Sequence, residues 1–123
     1  MFKIPLLWNQ HNVYIVFESP EVAFEIVKEY FSEYDDVELL IEKSDFEDAN
    51  WRTFYEDGID PVIFIDREYL SDRESVQHIG HEATHAVRYV FEFLGEESAN
   101  EVFAILVDEI IKEFMKHFLH DKF

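Results

Sequence analysis

His78-Ile79-Gly80-His81-Glu82-Ala83-Thr84-His85-Ala86 is the stretch on which the reading of this chain turns. Within it, His81, Glu82 and His85 have the spacing His-Glu-x-x-His. On a helix, residues four apart lie one above the other on one face. Two imidazoles so placed can hold one divalent metal ion, and the glutamate beside the first can act as a general base. The pattern is short, and six histidines in 123 residues allow it to arise by chance. Its meaning therefore depends on context: a helix, a third ligand and an open fourth position.

The helix is well signalled. Ser71 or Asp72 can cap it, Glu74 lies in the first turn and Gly95 is a stop, which predicts a helix over 72–94. Winding it at about 100° per residue with His81 at the origin puts His85 near 40°, His78 near 60° and Glu82 near 100°. Val76, Ile79, Ala83, Ala86, Val87, Val90 and Leu94 gather between about 140° and 240°. The histidines thus face away from the predicted core, and a buried core histidine does not account for them.

Upstream, 61–66 (Pro-Val-Ile-Phe-Ile-Asp) is the clearest strand, and it leads straight to this helix. Residues 3–8 and 13–18 predict a β-hairpin around the turn-like 9–12, with Pro5 marking an edge strand. Ser19-Pro20-Glu21 opens a helix over about 20–34. Val37–Lys43 and Trp51–Glu56 read as strands, 44–50 as a loop or single helical turn, and Asp57-Gly58 as a turn. From Asp35 to Asp60 there are ten acids and two bases, which fits a solvated rim of sheet and loop. A second long helix is predicted over about 97–120. Strands and a helix, more strands, then two helices make an α+β chain, a single domain over 1–123 with a small mixed or antiparallel sheet packed on the two helices.

A third metal ligand must come from elsewhere. On the last helix, Phe103, Leu106, Val107, Ile110, Phe114 and Phe118 define the core face. Glu101 and Asp108 lie roughly opposite it, so Glu101 is either a ligand or one of many exposed glutamates. His78 is an alternative ligand, an oxyanion partner or a surface residue, and Tyr89 is a second oxyanion candidate. His117 and His120, with Asp121, suit the negative end of the helix dipole better than a second metal.

Composition narrows the partners. The formal net charge is −18, which repels phosphate backbones and anionic membranes and draws in cationic peptides. Nucleic acid and membrane partners are not expected, although an acidic protein can mimic DNA toward a DNA-binding protein. There is no cysteine, so any metal must use His, Asp or Glu. No apolar run approaches a membrane span and the N-terminus carries no secretory pattern, so the expected location is the cytoplasm, that of a host cell if the chain is phage-encoded.

His81-Glu82-x-x-His85, followed sixteen residues on by Asn100-Glu101-x-x-Ala104, resembles the gluzincin zinc metallopeptidases. The size is similar to minimal gluzincins and to short His-Glu-x-x-His proteins of phages and prophages. The resemblance covers about residues 61–110. It implies a zincin-like fold, zinc held by His81, His85 and Glu101, Glu82 as general base, and a peptide or protein substrate. In that architecture an extended peptide lies beside an edge strand above the helix, and Pro61–Ile65 is the expected strand. Asn100 would belong to the second helix's motif. Ile105 stands where larger gluzincins carry an acid that orients a histidine ligand, and Asp108 lies one turn further along. Two other readings stand beside this one: a non-catalytic protein whose metal braces two helices, and an acidic phage-type interaction protein.

Overall fold

The computed structural model describes residues 1–6, 10–33, 41–56, 58–94 and 100–119. The elements are β1 (Phe2–Leu6), β2 (His11–Glu18), α1 (Pro20–Ser32), α2 (Ser44–Glu47), β3 (Trp51–Glu56), β4 (Ile59–Asp66), α3 (Asp72–Leu94) and α4 (Asn100–Phe118). The expected α+β class holds. The strands form one mixed sheet in the order β1-β2-β4-β3. β1 pairs with β2 and β3 with β4 antiparallel, while β2 and β4 run parallel.

Alternation along the two central strands sends side chains to both faces. Val13, Ile15, Phe17, Ile63 and Ile65 join Ile79, Ala83, Ala86 and Val87 of α3 and Ile110 and Phe114 of α4 in one core. Val16, Val62 and Phe64 point the other way, onto Ala23, Val27 and Phe31 of α1 and Phe46 of α2. Covering on both faces explains why β4 reads as an unbroken apolar run rather than an alternating one. Among the described residues no helix is long and apolar enough to cross a membrane.

Local signals set the element ends. Ser19 accepts a hydrogen bond from the Val22 amide and Pro20 opens α1. Gly58 turns β3 into β4 at a φ of +79°, a conformation that suits glycine. The predicted strand at Val37–Lys43 falls largely outside the described residues, and 41–43 form no strand. The helical stop at Gly95 also lies outside them, as do His120 and Asp121.

One expectation about the sheet is corrected. Pro61–Ile65 is not an edge strand, because β4 is flanked by β2 and β3. Its proline is tolerated because the ladder to β3 slips between Phe54 and Glu56, opposite this end of β4. The two edges are β1, which carries Pro5 as expected, and β3.

Candidate functional site

α3 is fixed at its start by a reciprocal cap. The Ser71 side chain accepts from the Glu74 amide at 3.2 Å, and the Glu74 carboxylate accepts from the Ser71 amide at 2.9 Å. Just before it, the buried Asp66 carboxylate accepts from the amides of Glu68 and Tyr69 and so shapes the turn from β4 into the helix. Ala83 and Ala86 lie against the sheet. At Gly80 the absence of a side chain lets α4 come close: a Cβ there would meet Ile111 Cδ1 at 3.4 Å.

His81 and His85 point to solvent. Their Nε2 atoms are 3.2 Å apart, with the rings nearly perpendicular. Two tetrahedral ligands at zinc–nitrogen distances of about 2.0–2.1 Å would place their nitrogens about 3.3 Å apart. The pair therefore fits two corners of a zinc site in spacing and in donor chemistry.

Glu82 faces another way. It is 5% exposed and turns toward β3, where the Thr53 hydroxyl donates to its Oε2 at 2.5 Å. The same hydroxyl lies 3.1 Å from the Glu82 main-chain oxygen. An isolated carboxylate taken out of water costs several kcal/mol, so a donor aimed at it matters. Oε1 receives no hydrogen bond from the described residues.

The Thr53 contact is accompanied by others between β3 and α3. Trp51 stacks on His78 with ring centroids 3.5 Å apart. Tyr55 lies beside Tyr89, 4.9 Å between centroids. The Tyr89 hydroxyl donates to the Glu56 carbonyl. Residues 51, 53 and 55 share one side of the strand, as period two requires. Residues 78, 82 and 89 share one side of the helix. Both elements run in the same direction, and their contacts form a ladder along the edge of the sheet. Sequence reasoning missed Thr53. The one available signal was the alternation of Trp51, Thr53 and Tyr55 with Arg52 and Phe54.

His78 and Tyr89 are thus engaged with the edge strand. Asp108 and Glu101 are exposed on α4. Gly80 faces Ile111, and Phe91 meets Phe103 edge to face at 5.6 Å between centroids. α4 therefore runs antiparallel to α3, with Asp108 near the height of His85, Phe103 near that of Phe91 and Glu101 two residues beyond. That sets Glu101 about two turns, roughly 12 Å along the axis, from His85. Among the described residues no group of three or more His, Asp or Glu side chains is gathered tightly enough to hold a metal ion. Asn100 opens α4.

On the outer side of β3 lies a shallow cavity of about 250 Å³, lined by Asp45, Arg52, Thr53, Phe54 and Glu56 among others. Thr53 therefore borders both this cavity and Glu82. A larger cavity of about 320 Å³, between Phe2, Phe17 and Phe118, has none of these site residues in its lining. Compared with known proteins, the chain matches no family model, no curated sequence and no solved structure.

Proposed function

We propose that the protein is a small zinc-dependent peptidase of zincin-like architecture. The observation that carries this reading is the His81–His85 pair, with Nε2 atoms 3.2 Å apart, on the same helix as a buried glutamate. His81 and His85 would hold the metal. The third ligand would come from α4, where the sequence resemblance favours Glu101 and the helix register favours Asp108. Bound zinc supplies Lewis acidity toward a carbonyl and makes hydroxide accessible near neutral pH.

The chain's own residues then have separate tasks. Glu82 accepts a proton from the attacking water and returns it to the amine as the peptide C–N bond breaks. β3, the sheet edge in contact with α3, has no described strand on its outer side, so its main chain could pair with an extended peptide, and the cavity there offers room for side chains. This strand takes the place first expected of Pro61–Ile65. The acidic surface favours neutral or basic peptides.

A second reading has its own observation. The Thr53 bond to Glu82 would also serve a protein in which Glu82 only ties helix to strand. One experiment separates the two. The purified protein should carry about one zinc per chain, and Glu82→Gln should keep it while peptide cleavage falls by about 10²–10⁴-fold. Zinc binding by wild type with no cleavage across a random peptide library would leave the tether reading in place. Absence of zinc after dialysis against it would sink the peptidase.

A further inference from the structure

We propose that Thr53 is a positioning residue for Glu82, holding its carboxylate from the edge strand along which substrate would lie. The inference rests on the peptidase reading and adds to it a residue outside the metal-binding motif. Three observations carry it. The hydroxyl sits 2.5 Å from Glu82 Oε2. Glu82 as a residue is only 5% exposed, so few waters compete with this donor. Thr53 also borders the cavity on the outer side of β3, so whatever fills that edge meets the same strand that fixes the base.

The bond constrains how Glu82 can work. A carboxylate has two oxygens, and Thr53 engages one of them. Oε1, which takes no hydrogen bond from the described residues, is left to accept the proton. Threonine's branched Cβ restricts its own χ1, and the strand is pinned on either side of it by Trp51 on His78 and by Tyr89 on the Glu56 carbonyl. The hydroxyl therefore reports the position of the strand to the carboxylate. A displacement of about 1 Å at a reacting group is enough to cost about 10²-fold in rate.

The test uses the full zinc-loaded chain with Thr53→Val, which keeps the shape and removes the donor, and Thr53→Ser, which keeps the donor. The first readout is independent of activity. Proton NMR of wild type should show a slowly exchanging Thr53 hydroxyl resonance that is lost in Glu82→Ala, with zinc content unchanged in both Thr53 variants. The second readout is cleavage of a fluorogenic peptide selected from a random library with the wild-type protein. Thr53→Val should lose about 10²-fold in kcat. KM should stay within about threefold, and Thr53→Ser should recover kcat to within about threefold of wild type. A valine variant with wild-type kcat, or a serine variant as impaired as valine, overturns the positioning role. So does a missing hydroxyl resonance in a wild-type protein that cleaves, and in that case the peptidase reading survives. A hydroxyl resonance in a wild-type protein that cleaves nothing overturns both and makes the bond a tether.

Discussion

Trp51 and His78 lie face to face, with ring planes 12° from parallel, and this stack joins the β3 edge of the sheet to the helix that carries the histidine pair. It separates the three histidines of α3 by role. His78→Ala should leave zinc content unchanged and lower stability by about 1 kcal/mol, the order expected for an aromatic pair beyond its buried area. His81→Ala and His85→Ala, on the solvent side, should do the reverse. They should abolish stoichiometric zinc and leave the metal-free stability within about 0.5 kcal/mol of wild type. Metal analysis and thermal unfolding of the three variants check this directly.

The third ligand of the proposed zinc site can be settled between two residues. Asp108 stands near the height of His85 and Glu101 about two turns away. Asp108→Ala should therefore weaken zinc binding by about tenfold or more, while Glu101→Ala changes it little. Competition titration with a zinc-sensitive dye reads both. The opposite ranking would show that α4 slides along α3 when metal binds.

Removing the metal should destabilise the fold. Zinc at about one hundred times its dissociation constant adds about 2.7 kcal/mol if the unfolded chain does not bind it. A chelator should lower the melting temperature of wild type and leave His81→Ala unaffected.

The cap of α3 gives a control away from any metal. Ser71→Ala removes the acceptor for the Glu74 amide and should cost about 1 kcal/mol. Zinc content and cleavage of the folded protein should not change, because Ser71 lies more than two turns before His81.

Much of this was legible in the sequence, and the limits have physical causes. The α+β order, the Ser19 and Ser71 caps, the edge position of β1 and the outward face of His81 and His85 follow from local rules of propensity, capping and helical period. The place of β4 in the sheet did not. A run such as Val62-Ile63-Phe64-Ile65 says that both faces are buried, but not which strands lie beside it. Thr53 was invisible for a related reason: its partner is 29 residues away, and a threonine in a strand carries no local mark of a tertiary bond. The heights of Glu101 and Asp108 relative to His85 depend on how far α3 continues before the chain turns back. Helical period gives the face of a residue but not its height against a neighbouring helix.

The two sheet edges differ in a way that bears on how the molecule meets other chains. β1 carries Pro5, which has no amide to donate, and Lys3 beside it. Both are features that discourage a further strand. β3 has no proline, and its Trp51, Thr53 and Tyr55 side chains are already occupied with α3. What it leaves available is backbone. Among the described strands the sheet is therefore polar as a receptor, guarded at β1 and without a further strand at β3. Copies stacking head to tail through the sheet would have to use the guarded edge of one of them, whereas a two-fold pair could use β3 of both. A peptide bound as proposed would need only the β3 side, and there it would lie against the strand that holds Glu82.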